Sequence, residues 1–275
     1  MKSVLLFCCV LGIVATSYGQ YWFGPKVGVS YIDHVYQDKT YERDSFNVAT
    51  DINMQYGFAL MYTATDRYSV YGEINYERVG KRVKDIQTDG ADVNTSMINH
   101  FISAPVMLRI TLGRVPFHYY VNGGPRLAYW LGGKGTIFLE EFVENLPDPD
   151  NVEEAIKPYK ITFNSDKALE GNRSTALVRD PNRLQFGLTV GSGMYFDLAN
   201  GTRLQIDARY TWVHSNMGTN SGSRDTNFGG ENYRENFEYY HNIGTVSIAY
   251  LFGYNSELKR KGKSTSKESN KKKKK

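Results

Sequence analysis

The chain has 275 residues, 33 Lys+Arg against 29 Asp+Glu, a formal net charge of +4 and a mean hydropathy of −0.47. Beyond the first twenty residues no apolar run approaches the roughly 18 residues that a membrane-crossing helix needs, which argues against a helical membrane protein. The 21 Tyr and 26 Gly, with only 2 Cys, suit strands, because aromatic residues fit pleated surfaces and Gly fits bends and bulges.

Residues 1–19 read as a secretory signal peptide: Lys2, an apolar block Val4–Ala15, then Ser17-Tyr18-Gly19 with small residues at −3 and −1. Cleavage is expected before Gln20. Cys8 and Cys9 lie inside the apolar block and leave with it, so disulfides and Cys metal sites drop out of the mature chain.

From residue 20 onward the dominant signal is alternation of apolar and polar side chains with period two. It predicts strands near 22–34, 52–64, 68–79, 98–112, 118–132, 183–198, 203–214 and 240–252. In the fourth, Ile102, Ala104, Val106, Leu108, Ile110 and Leu112 share one face, with Ser103, Met107, Arg109 and Thr111 on the other. The connections alternate in length. Thr65-Asp66-Arg67, Gly113–Phe117 and Ala199-Asn200-Gly201-Thr202 are short, whereas the segments between strands 1–2, 3–4, 5–6 and 7–8 are polar and run to about 17, 18, 50 and 25 residues. Short turns at one end and long loops at the other are the pattern of an outer-membrane barrel, with turns in the periplasm and loops outside the cell. The expected fold is therefore all-β: an eight-stranded antiparallel up-and-down transmembrane barrel over residues 20–254, in the bacterial cell outer membrane.

Charges within strands fall in the polar register, at Lys26, Asp51, Glu73, Glu77, Arg109, Arg126, Asp197, Arg203, Asp207 and Arg209, with Arg78 as the dissenter. Eight strands enclose a lumen that side chains can just fill. Buried charges must be paired, so Lys26, Glu73, Glu77, Arg109, Arg126, Asp207 and Arg209 are expected to form a lumen network, with Glu73 beside Arg109 and Arg126 across from Asp207. A charged ligand or ion path is the alternative reading of the same residues. Tyr56, Tyr62, Tyr76, Tyr119, Tyr129, Tyr210, Trp212, Tyr250 and Phe252 are placed outward, many near strand ends where aromatic girdles form.

The segments Phe23-Gly24-Pro25-Lys26-Val27-Gly28-Val29-Ser30, Ile102-Ser103-Ala104-Pro105-Val106-Met107-Leu108, Gly123-Gly124-Pro125-Arg126 and Leu204-Gln205-Ile206-Asp207-Ala208-Arg209-Tyr210 resemble the Bacteroidetes outer-membrane β-barrel family called PorT-like, akin to the OmpA- and OmpX-like eight-stranded barrels. The resemblance covers roughly residues 21–252 and implies a barrel without general catalytic residues. Some members are implicated in type IX protein secretion, gliding or other envelope assemblies. The fifty-residue third loop and the basic tail depart from that pattern.

That loop, residues 133–182, carries seven acids between Glu140 and Glu154 and no base, with Pro147 and Pro149 between them. It has no EF-hand spacing, so loose divalent-ion binding and simple solvation are its two readings. Its apolar pieces, Ile137-Phe138-Leu139 and Tyr159-Lys160-Ile161-Thr162-Phe163, predict partial order as strand extensions with a small cap. The tail, 255–275, is expected to be disordered. From residue 259 on, ten Lys/Arg against Glu268 give it +9, and removing this and Lys2 leaves −6 for residues 20–258. Lys259, Arg260, Lys261, Lys263, Lys267, Lys271 and Lys275 are its candidate partner-binding residues. Export places them in the periplasm, away from nucleic acid. Outer-membrane lipid surrounds the barrel, while anionic lipid, peptidoglycan or other envelope proteins suit the tail.

No phosphate-binding loop, His-Glu-x-x-His or nucleophile elbow is present, and no cofactor or metal is expected. The five His are scattered at His34, His100, His118, His214 and His241. The expected role is non-enzymatic: a structural or accessory subunit of an envelope machine for protein secretion, barrel assembly or gliding. A small channel or ligand-uptake protein is the alternative, and a rim enzyme using His100 with Ser96 or Ser215, or His214, is the weaker one.

Overall fold

The computed structural model describes residues 20–36, 47–50, 52–88, 91–114, 117–139, 156–163, 175–178, 180–198, 201–218 and 237–255. The leader, the acidic stretch 140–154, Asp51 and the basic tail lie outside these residues.

The strands are β1 (Gln20–Tyr36), β2 (Asn47–Thr50), β3 (Ile52–Thr63), β4 (Tyr68–Thr88), β5 (Ala91–Arg114), β6 (Phe117–Leu139), β7 (Ile156–Thr162), β8 (Thr175–Leu177), β9 (Leu184–Asp197), β10 (Thr202–Val213) and β11 (Tyr239–Asn255). Eight of them, β1, β3, β4, β5, β6, β9, β10 and β11, pair antiparallel in that order, and β11 returns to β1 from Gln20↔Asn255 up to Tyr36↔Tyr239. The sheet therefore closes on itself, and the ring has no free edge of the kind that invites aggregation. The eight strands expected from the sequence are the eight of the ring.

Alternation explains why these segments close as they do. On β5, Leu108 is 70% exposed while its neighbours Met107 and Arg109 are 0% and 1% exposed. The apolar residues exposed on the wall, such as Val27, Phe58, Ile74, Val106, Phe186 and Ile248, form the band that meets lipid. Tyr62 is in the outward register yet only 7% exposed, because Tyr21 packs over it at 5.0 Å between ring centroids.

The structure corrects the expected long connection between the third and fourth strands. β4 and β5 run to 21 and 24 residues and pair up to Thr88↔Ala91, which leaves Asp89-Gly90 as their connection. Above the lipid band the alternation changes phase: apolar side chains now face inward (Val79, Val83, Met97, Phe101) and Arg82 faces outward. Lipid lies outside the lower wall and water outside the upper one, so the same strand must reverse which face is greasy. One continuous alternation therefore ends where the phase turns. β6 continues likewise, from β9 as partner up to Tyr129↔Leu184 to β7 from Gly133↔Ile161, and β8 adds to β7 in parallel. The handover falls at Gly132, whose φ of +145° favours glycine, beside a register shift between His100 and Phe101. The upper parts of β4, β5 and β6, with β2 and β7, thus make a wall that rises beyond the barrel.

Candidate functional site

The lumen is filled in three layers. At the short-turn end, Trp22, Ala59, Met61, Tyr71, Met107, Ala249 and Leu251 pack together. Arg203 stacks its guanidinium over Tyr195 at 3.7 Å and Trp22 at 4.0 Å, and its Nε donates to Asp197 at 2.7 Å. Below them opens a polar vestibule of about 770 Å³, lined among others by Arg67, His118, Asp197 and Arg203.

The middle layer is ionic. Lys26 Nζ donates to both oxygens of Glu73 at 2.9 Å. Arg209 bridges the two acids, reaching Glu73 at 2.8 Å and Asp207 at 2.9 Å. Asn75 donates to Glu73 at 2.9 Å, and Asp207 further accepts from Gln205 at 2.9 Å, Ser247 at 2.8 Å and Tyr120 at 3.3 Å. The carboxylates thus have their lone pairs occupied, the condition for burying such a cluster without a large desolvation loss.

Arg109 takes a different place from the expected one beside Glu73. It lies flat between the rings of Tyr71 at 4.0 Å and Tyr120 at 3.8 Å, and donates to Gln205 at 2.8 Å. Register explains the difference: Glu73 stands beside Ala59 on β3, whereas Arg109 pairs with Ser69 on β4, four residues nearer the turn end. Arg126 does not reach Asp207 either. It pairs with Glu77, which also accepts from Ser103, in a separate ionic site one step higher. Of the seven expected network residues, four (Lys26, Glu73, Asp207, Arg209) join in one cluster, two (Glu77, Arg126) in another, and Arg109 is held by aromatic faces. Tyr71, Tyr120 and Gln205 join these contacts from outside the expected network. Their only signal is an inward register, which for Tyr71 and Gln205 stands two residues from an inward charge.

The upper layer departs from an all-polar lumen. Ile32, Tyr36, Phe101, Trp130, Val213, Phe237, Tyr239 and Ile243 form an apolar cap with Ile137, Tyr159 and Ile161 of the extracellular wall. Trp130 donates to Asn99 at 3.1 Å, and Lys81 lies over the rings of Tyr239 at 4.2 Å and Tyr36 at 4.9 Å. His34 bonds the Gly80 carbonyl oxygen at 3.0 Å, and His241 is fully buried against Phe101. The cap seals the extracellular end of the lumen.

The rim residues do not converge. His100 bonds the Tyr76 hydroxyl at 2.6 Å and stacks on its ring. Ser96 is four residues away along the same strand, about 13 Å at 3.3 Å per residue. Ser215 Oγ is engaged by the Phe186 N–H at 3.0 Å, on β9, two strands round the ring from β5. Among the described residues no group of three or more His, Cys, Asp or Glu is placed to hold a metal ion. The tail residues Lys259, Arg260, Lys261, Lys263, Lys267, Lys271 and Lys275 lie outside the described residues.

A family model described as outer membrane protein beta-barrel domain matches residues 17–217. Among solved structures, the chain is similar to the outer membrane protein OprG of Pseudomonas aeruginosa, with 11% identity, 87% of this chain and 98% of that one covered, and a TM-score of 0.46. It is also similar to the attachment invasion locus protein Ail of Yersinia pestis (10% identity, 85% and 99% covered, TM-score 0.32) and to neisserial surface protein A (10%, 84% and 96%, TM-score 0.34). No curated protein sequence matches the chain.

Proposed function

Because the chain belongs to the outer membrane protein beta-barrel domain family, and so to the bacterial outer membrane, we propose that it works there as a non-enzymatic structural or accessory subunit of an envelope machine. Protein secretion of the type IX kind, barrel assembly and gliding are the classes in view, with the PorT-like segments around Lys26, Pro105, Arg126 and Asp207 supporting a Bacteroidetes setting. The observation that carries the reading is the lumen, closed by side chains at three levels. A barrel so filled offers its surfaces, not its bore. β1 and β11 begin and end together at the short-turn end, Gln20 opposite Asn255, so a tail leaving there enters the periplasm in the orientation of such barrels. In this proposal the removed leader is residues 1–19, and the tail lysines hold an acidic periplasmic partner by screened attraction.

Crosslinking from the tail in intact envelopes, followed by purification in mild detergent, tests this. The expected result is a reproducible envelope-protein adduct lost when residues 259–275 are removed. Recovery as a lone monomer, with and without the tail, overturns it.

A further inference from the structure

The outer face of the extracellular wall carries a basic cleft that neither the barrel's closure nor the proposed partner role uses. Three adjacent strands build it. Ile98 of β5 pairs with Lys134 of β6, and Lys134 pairs with Lys160 of β7; in the next row Ser96 pairs with Thr136, and Thr136 with Pro158. These residues line a cleft of about 400 Å³. Lys134 and Lys160 are both exposed and stand directly opposite each other, an arrangement of like charges that disfavours strand pairing unless an anion lies between them. Among the described residues neither lysine has a carboxylate within ion-pair distance.

Below the cleft, Arg78 pairs with His100, and the Arg78 Nε is buried without a hydrogen-bond partner. Arg78 and Lys134 both act electrostatically on His100, which places the positive charges in one neighbourhood. No acid stands among the outward residues of this patch whose side chains are described: Arg78, Arg82, Ser96, Ile98, His100, Lys134, Thr136, Pro158 and Lys160. Height decides what such a patch meets. The outward residues of β5 are apolar from Leu112 up to Ile102, and those of β6 from Phe117 to Leu131. His100 is the next outward residue on β5, and Lys134 follows the Gly132 bulge on β6. The lysines therefore stand one step above the acyl-chain band, at the depth of outer-leaflet headgroups, and face sideways into the leaflet.

We propose that the cleft between β5, β6 and β7 binds a phosphate of a phosphorylated outer-leaflet glycolipid, with Lys134 and Lys160 as its two donors, Arg78 completing the positive field, and the acyl chains lying on the apolar wall below. The site is independent of the envelope-machine reading, since it requires only the membrane orientation. It gives the barrel a bound lipid on one sector, β4 to β7, and so a preferred lateral face.

Native mass spectrometry of the full chain in detergent tests it, with bisphosphorylated lipid A as the probe and chelator present to remove bridging cations. The expected result is a one-lipid complex. Lys134→Ala and Lys160→Ala should each weaken it about tenfold, since a charge-assisted hydrogen bond is worth at least the 1.4 kcal/mol of one decade. Lys160→Arg, which keeps the charge, should bind as the parent does. Fully dephosphorylated lipid A should bind far more weakly than the bisphosphorylated form, and millimolar inorganic phosphate should displace little of it, because it lacks the chains. Equal retention of the dephosphorylated lipid, or unchanged binding by both alanine variants, overturns the site. Full displacement by inorganic phosphate, or by a soluble sulfated glycan, overturns its assignment to a lipid. Heat-dependent gel mobility shows that each variant is folded, and Lys160, exposed on a short outer strand, is the substitution least able to disturb the barrel.

Discussion

Glu73 is the residue on which the ionic layer depends, because it alone accepts from Lys26, Arg209 and Asn75. Replacing it with Gln keeps size but leaves Lys26 with no carboxylate, and a buried ion deprived of its partner costs about 3–5 kcal/mol. Glu73→Gln is therefore expected to lower the unfolding midpoint in detergent sharply. Lys26→Met in the same background should return part of the loss, since the stranded ammonium is then gone. If the two changes simply add, the pair is not coupled as drawn. Gly124 is a second single-residue constraint. A Cβ there would come within 2.1 Å of the Val106 carbonyl oxygen on β5, and backbone cannot swing aside as a side chain can. Gly124→Ala should destabilise by about 1–3 kcal/mol as an overpacked site, read from the same unfolding curve. The Gly123-Gly124-Pro125-Arg126 motif was visible in the sequence. The reason for its second glycine, two strands in close approach, is not, because nothing in a linear pattern says which backbone will lie opposite.

At the scale of elements, one strand passes through three environments, and its tolerance of charge should change along its length. Leu108 and Ser96 both face outward from β5, twelve residues apart. Leu108→Arg puts a guanidinium near the middle of the lipid band, where such a change costs about 2–4 kcal/mol, whereas Ser96→Arg stands in the hydrated headgroup zone above it and should stay within about 0.5 kcal/mol of the parent. Folding yield into lipid vesicles at rising urea measures both; equal losses would mean the band is misplaced. The same physics set what was legible. Each of the eight barrel strands shows in the sequence because apolar-out, polar-in alternation persists for a membrane's depth. The upper halves of β4 and β5 did not, since the phase reverses once water replaces lipid: Val79, Val83 and Met97 turn inward where Ile74, Tyr76 and Ile102 had turned outward, whereas the top of β6 showed as the apolar extension Ile137-Phe138-Leu139. Between β4 and β5 the sequence carries Asp89-Gly90, the dipeptide that favours two-residue hairpins. Pairings across the lumen are a further limit. Inward register selected Lys26, Glu73, Asp207 and Arg209, but shear decides which heights meet, and so Arg109 went to Tyr71 and Tyr120 instead of Glu73.

For the whole molecule, the three lumen layers act in series. An ion entering from the periplasm meets Arg203 and Trp22, then the Lys26–Glu73–Arg209–Asp207 cluster, then the cap around Trp130, Phe101 and Tyr239. Opening one layer leaves the other two, so single deletions should cost stability without producing a pore. Trp130→Ala removes the largest member of the cap and should destabilise by about 3–5 kcal/mol, the usual range for a buried aromatic. Its conductance in planar bilayers is still expected to be indistinguishable from the parent's, which should show no stable open state. A contrasting result discriminates between bore and surface as the working part. If the parent gives steady, ohmic single-channel steps, the side-chain packing is not the resting state and the uptake reading gains. If Trp130→Ala alone opens such steps, the cap is a gate and the ionic layer below it is permeable. Closure in series predicts neither, and it leaves the extracellular wall, the lipid-facing sector and the periplasmic end as the surfaces on which the proposed partner role has to act.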